Sequence, residues 1–187
     1  MPNRFEIKLA RERLRPEGSL IEGLGAFARI GFRRGNLICV FKGENISISE
    51  LKSRYKAGVE RISDTLQISE RRYLDLDEPF VRINHSCDPN TAIVSEANLV
   101  VLRPIDQGEE ITFDYSLTEW TWERFGKYAE WDMPCACGSP SCRGHITQFP
   151  FIPLSVKRDY LRKGALPDFI MRKIIKTGLA YDGRRES

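Results

Sequence analysis

A chain of 187 residues has the length of one domain, and its hydrophobic fraction of 41% and charged fraction of 29% describe a globular protein with a real core. No apolar run approaches the roughly 20 residues that cross a bilayer, and the opening MPNRFEIKLARERLR lacks the apolar stretch of a signal peptide. A net charge of +3 is too small to argue for nucleic acid, and five cysteines without export signals argue against a disulfide framework and for thiolate or metal chemistry inside a cell.

Residues 5–9 alternate apolar and charged side chains, which predicts a first strand with one wet face; the basic turn ARERLRPEGS follows. Short strands at 19–21 and 26–30 flank Gly23-Leu24-Gly25, where two glycines serve either a simple bend or a close backbone approach to a ligand. No helical pattern follows them, so a Rossmann phosphate loop fits poorly. Residues 37–41, LICVF, read as a buried strand in which Cys39 is a small hydrophobe. Ser47 and Glu50 have the spacing of a capping box, opening a helix to about Lys56 that Gly58 ends. Strands at 62–68 and 73–76 come next. Asp75, Asp77 and Glu78 read as a solvated acidic turn or as an attractor for a basic peptide.

Residues 84–90, NHSCDPN, crowd two amides, an imidazole, a thiol, a hydroxyl, a carboxylate and a proline into one stretch. Asp-Pro-Asn by itself makes a turn. Side chains this polar rarely serve a core, however, because each needs a partner once buried. Strands at 91–94, 98–103 and 111–115, separated by a polar turn at 95–97 and a loop at 104–108, predict a mainly β, α+β fold. The aromatic stretch 118–131 predicts a helix to about residue 129 that Thr118 caps. Two further helices, 157–163 and 168–176, are expected in the tail, with Pro167 in the first turn of the second. From Ser155 onward nine basic residues stand against four acidic ones, which suits a solvated helical face or an acidic partner.

Cys135, Cys137 and Cys142 follow Cys-x-Cys-x4-Cys spacing around a Gly-Ser-Pro-Ser turn. Thiolates this close suit one tetrahedral structural zinc ion, with a fourth vertex open to His145 from nearby or to Cys87 from afar.

Four segments together resemble one family. EGLGAFA (22–28), FKGE (41–44), NHSCDPN and GEEITFDY (108–115), followed by CACGSPSCRG (135–144), are similar in order and spacing to SET-domain protein lysine methyltransferases with a post-SET cysteine loop. The resemblance covers about residues 22 to 144 and divides the chain into a SET domain at 1–132, a zinc loop at 133–146 and a helical extension at 147–187. It implies small curved sheets closed by a pseudoknot, S-adenosylmethionine as methyl donor and a protein lysine as acceptor. It implies cofactor contacts from Gly23, Leu24, Gly25, Asn84 and His85, and Tyr115 as the catalytic tyrosine beside the cofactor. Phe113 stands where methylation number is tuned, Phe41 in the substrate-channel wall, and Cys87 as the fourth zinc ligand. Two departures stand out: Val81 occupies the place of the family's arginine, with Arg82 displaced by one, and Phe41 replaces a tyrosine.

The chemistry fits those residue types. Methyl transfer to an amine needs strict in-line geometry and a neutral lysine, which a dry channel favours. A phenyl ring at Phe113 holds no water and leaves room for di- or trimethylation. The rival readings are a catalytically weak SET-fold interaction module and a zinc-bearing nucleic-acid binder, the second disfavoured by the near-neutral core. The expected location is intracellular: cytoplasmic in a bacterium, nuclear or cytoplasmic in a eukaryote, with no membrane association.

Overall fold

The computed structural model describes residues 4–58, 64–120 and 132–180. Among them, three small sheets and one two-stranded pair enclose the core, and no helix is long and apolar enough to cross a membrane. In the first sheet β1 (Leu14–Gly18) pairs antiparallel with β2 (Leu24–Ala28). β10 (Glu110–Phe113) lies on the far side of β2, and β7 (Asn84–His85) runs parallel to β10, with Asn84 opposite Thr112 and His85 opposite Phe113. The second sheet has the order β3 (Leu37–Val40), β9 (Asn98–Val101), β8 (Thr91–Val94). The third has β4 (Gly43–Ser47), β6 (Arg72–Leu76), β5 (Thr65–Ser69), and β11 (Met133–Pro134) pairs with β12 (His145–Ile146). The mainly β architecture expected from the sequence is what forms.

The late strand β10 is inserted between β2 and the much earlier segment that begins at Asn84. Asn90 holds it there: Nδ2 donates to the Glu110 carbonyl at 2.7 Å, and Oδ1 accepts from the Thr112 amide at 2.9 Å. Thr91 Oγ1 donates to the Thr112 carbonyl at 2.7 Å. Asn90 and Thr91 are buried, so each bond satisfies groups that water does not reach.

Several expected elements change. Residues 5–9 belong to helix α1 (Arg4–Arg13), not to a strand. Ile7 and Ala10 of the helix reach the core three residues apart while Phe5 is 66% exposed, so the five-residue alternation was a fragment of a longer period. The basic turn expected after it contains β1, where Pro16 is tolerated because β1 is an edge strand. Residues 19–21 form bends instead of a strand. The strand at 111–115 stops at Phe113, because buried Asp114 caps a 3-10 turn, Tyr115–Thr118, by accepting from the Ser116 amide at 3.1 Å. Thr118, expected to cap a helix running to about residue 129, instead closes that turn by donating to the Tyr115 carbonyl; Glu119 is extended, and the rest of the expected helix, from residue 121, lies outside the described residues. Ile62 of the expected 62–68 strand also lies outside them. Pro167 is the N-cap of α4 (Asp168–Thr177), one residue earlier than expected.

The capping prediction at α2 (Ile48–Lys56) holds on the serine side: Ser47 Oγ accepts from the Glu50 amide at 3.2 Å. Glu50 uses its carboxylate on Arg54, which also reaches Glu44 and Asp75 of the expected acidic cluster.

The tail is not a solvated appendage. α3 (Leu154–Lys163) and α4 share an apolar cluster with Ala92 of β8 and Leu117, built on Trp120 stacked against Phe149 at 5.4 Å. Lys157, expected on a wet face, is buried; its ammonium donates to the Pro150 carbonyl at 2.7 Å and lies 5.5 Å from the Phe149 ring. Because the cluster includes residues of the β core, Phe169→Ala is expected to destabilise the whole chain by about 3–5 kcal/mol in one transition. Denaturant unfolding followed at several wavelengths checks this; a separate early transition of the tail would contradict it.

Candidate active site and metal centre

The loop between β1 and β2 turns at Gly23, whose φ of +48° suits glycine. Ser19 organises it: the hydroxyl accepts from the Ile21 amide at 2.8 Å and lies 2.9 and 3.0 Å from the two carboxylate oxygens of Glu110. Asn84 Nδ2 donates to the same carboxylate at 2.8 Å and to the Glu22 carbonyl at 3.1 Å. Glu110 thus ties the loop to β7. A Cβ on Gly25 would sit 2.1 Å from Glu110 Oε1, so this glycine makes room for the carboxylate.

An open cleft of about 180 Å³ lies beside the loop, and Glu22, Gly23, Leu24, Asn84, His85 and Tyr115 are among its lining residues. Gly25 is not; it acts from behind, through Glu110. A much tighter space of about 10 Å³ is lined by Phe80, Val81, Ile83, Phe113 and Tyr115 among others. Val81 and Tyr115 line both spaces and mark where they meet. Phe113 faces this second cavity, whereas Phe41 stands one layer further in, fully buried with its ring 5.6 Å from Phe113 and 5.7 Å from Phe80. Phe41 supports the wall and does not form it. Displaced Arg82 reaches the cleft rim, paired with Glu78 at 2.8 Å.

Tyr115 donates its hydroxyl to the Ile83 carbonyl at 2.9 Å, and its ring packs 4.8 Å from Phe113. Burial, then the carboxylates of Glu22, Asp64 and Glu110, push its phenol well above the usual range, so it stays protonated. Its amide donates to His85 Nδ1 at 3.2 Å. That nitrogen therefore carries no hydrogen, and Nε2–H is left to face Cys87 Sγ at 3.3 Å. Burial holds His85 down to about 4, so the imidazole is neutral.

The sulfurs of Cys87, Cys135, Cys137 and Cys142 lie within 4.8 Å of one another. Cys87 and Cys135 are 3.8 Å apart, about the edge of a tetrahedron with ~2.3 Å metal–sulfur bonds. His145, the alternative fourth ligand, is instead exposed and bonded to Asp132 at 2.6 Å. Burial pushes the Cys87 thiol up to about 11, opposed by the Arg143 amide that donates to its sulfur. Cys137 falls to about 7, where hydrogen bonds from the backbone of Cys87 and Ser139 outweigh burial. Four sulfurs this close form a donor set that fits one soft tetrahedral ion, whose charge would hold them as thiolates.

Sequence reasoning missed three charged residues that hold the site. Glu110 is one. The others are Asp114 and Arg143, joined by two bonds of 2.7 and 2.8 Å, with Asp114 completely buried. All three lie inside quoted motifs, and the available signal was a charge at the end of an apolar strand or just after a ligand cysteine.

Comparison with known proteins follows the same lines. Residues 23–116 match the SET domain family profile. The chain is 28% identical over 150 residues to "Histone-lysine N-methyltransferase TRX1" of Oryza sativa subsp. japonica, covering 73% of this chain and 14% of that protein. It is 31% identical over 153 residues to "Histone-lysine N-methyltransferase, H3 lysine-4 specific" of Schizosaccharomyces pombe, covering 75% and 16%. It is 31% identical over 137 residues to "Histone-lysine N-methyltransferase trr" of Drosophila melanogaster, covering 67% and 5%. The chain thus spans less than a fifth of the length of these curated relatives.

The ligand geometry makes a discriminating expectation. If the four sulfurs hold a metal ion, Cys87→Ser and Cys137→Ser should each lose it, while His145→Ala retains one ion per chain; metal analysis of the purified variants checks both halves. Gly25→Ala should weaken ligand binding in the cleft about tenfold or more by displacing Glu110, as read by calorimetric titration with S-adenosylhomocysteine.

Proposed function

We propose that this chain, which belongs to the SET-domain family, is an S-adenosylmethionine-dependent protein-lysine N-methyltransferase built around one structural zinc ion. The observation that carries the reading is the position of Tyr115, at the meeting point of an open polar cleft and a narrow crevice walled by Phe80, Val81, Ile83 and Phe113 together with Thr65 and Thr118. A cofactor and a lysine entering from the two sides would meet at its hydroxyl.

The cleft residues fit a charged cofactor of this size. Backbone groups at Gly23 and Leu24 and the segment Asn84–His85 supply hydrogen-bonding partners, and Glu22 supplies negative charge at the rim. When bound, S-adenosylmethionine supplies an electrophilic methyl group on a sulfonium. The chain's own work is to bring a neutral amine into line with it. The walls Phe80, Val81, Ile83 and Phe113 exclude water and lower the pKa of an entering lysine from its free value of about 10.4. Tyr115 stays protonated, anchored on Ile83, and its oxygen keeps lone-pair capacity to orient the amine or polarised C–H groups. No general base is needed at the transfer step beyond release of the lysine proton to solvent.

The four-cysteine site would hold zinc with no vertex left for water, hence a structural role. Because the relatives carry the words histone-lysine in their names, a histone tail is the first acceptor to test, with a nuclear location implied by it. A phenyl ring at position 113 supports di- or trimethylation, since it offers no hydroxyl to retain a water beside the amine.

The test is incubation of the zinc-replete chain with S-adenosylmethionine and core histones, read by mass spectrometry of lysines. Methylated lysine supports the reading; saturable cofactor binding without transfer to histones or other proteins would favour the interaction-module alternative. Tyr115→Phe should bind S-adenosylhomocysteine normally yet lose about a hundredfold in kcat. Unchanged turnover would remove Tyr115 from the chemistry. Phe113→Tyr should shift products toward monomethyl-lysine, and an unaltered product distribution would reject Phe113 as the determinant.

A further inference from the structure

Two lines of contact run from the four-sulfur cluster to the turn that carries Tyr115. One passes through His85, between Cys87 Sγ and the Tyr115 amide. The other passes through Arg143, which the proposed chemistry does not by itself require. Arg143 directly follows Cys142, and its amide donates to Cys87 Sγ at 3.3 Å. Its guanidinium forks onto Asp114, with Nη1 on Oδ2 at 2.8 Å and Nη2 on Oδ1 at 2.7 Å, and Nη2 also reaches Ser116 Oγ at 3.1 Å. Asp114 is wholly buried and its Oδ1 caps the Tyr115–Thr118 turn through the Ser116 amide. One planar cation therefore grips the capping carboxylate and a hydroxyl inside the turn at once. An ammonium on a flexible stem cannot reproduce that fork.

We infer that Arg143 is a positioning residue: closure of the cysteine loop on Cys87 brings its guanidinium onto Asp114 and Ser116, and this fixes the direction in which Tyr115 leaves the turn. Arg143 is absent from the residues lining both cavities, so its guanidinium acts on the site through Asp114 and Ser116. The cysteine cluster then does more than hold an ion, because its closure is coupled to the geometry of the tyrosine. Removing one partner of a buried pair strands the other charge, so a simple truncation at 143 tests folding more than positioning.

Two variants separate these effects. Arg143→Lys keeps a cation near Asp114, and the pair Asp114→Asn with Arg143→Met removes both charges together. Each is purified with zinc and measured for metal content, for hydrogen exchange at the Tyr115 amide by NMR, and for kcat and KM on a lysine peptide. The kinetic measurement rests on the methyltransferase reading; the other two do not. The expected result is one zinc per chain in both variants, Tyr115 amide exchange about tenfold faster, and kcat lower by about ten- to a hundredfold with KM within about twofold. Chelating zinc from the unaltered chain should produce the same faster exchange. Wild-type exchange and kcat in Arg143→Lys would overturn the inference, and so would loss of zinc, protection and kcat together in both variants. If the unaltered chain transfers no methyl group to any lysine, the methyltransferase reading fails and the amide exchange alone decides the role of Arg143.

Discussion

Strand β10 is flanked by segments that lie far from it in the chain, and almost every feature of the site follows from how it is gripped. On one side it pairs with β2, and on the other with β7 and the side chains of Asn90 and Thr91. Each buried polar group it brings inward finds a partner from a distant segment. Leaving one unpaired costs about 1–3 kcal/mol, so the register of the insertion is strongly specified. Once the register is set, Glu110 lies under the β1–β2 loop, Phe113 faces the narrow cavity, Asp114 ends the strand and Tyr115 emerges between the two spaces.

Charge is placed in this interior sparingly and is met by hydrogen-bonding partners, of which only some carry the opposite charge. Glu110 accepts from Ser19 and Asn84, which joins the cleft loop to β7. Asp114 accepts from Arg143, which joins the strand to the cysteine loop. Buried ion pairs gain little net stability, since desolvation offsets much of the attraction, but their geometry is demanding. Here both carboxylates sit at joints between segments distant in sequence. Their contribution is to alignment more than to stability.

The second apolar cluster shows the same economy on a larger scale. Trp120, Phe149, Tyr160 and Phe169 pack beneath β8 and the Tyr115 turn, so the C-terminal helices brace the back of the segment whose front lines the cavities. α4 is joined to the turn after β8 by the Asp168 amide donating to the Ser95 carbonyl at 2.8 Å. The buried ammonium of Lys157 belongs to this brace, which is why a lysine there is not part of a basic surface.

Residue order alone determined the strands at 37–41, 91–94 and 98–103 to within two residues, the Ser47 cap, the family resemblance and the cysteine spacing, because these depend on local period, local turn chemistry or short motifs. It misread residues 5–9 and 19–21, where a five-residue pattern is too short to separate period 2 from period 3.6 and where an edge position excuses Pro16. It also left Cys87 and His145 as open alternatives for one vertex until the resemblance favoured Cys87, and it gave no sign that the missing Cβ of Gly25 makes room for Glu110. Those matters are decided by which side chains from distant segments arrive at the same point. Glu110 against Gly25, Arg143 against Asp114 and Cys87 against Cys135 are contacts across 85, 29 and 48 positions of chain. Local sequence carries no record of such distances; only the insertion of β10, which brings the segments together, creates them.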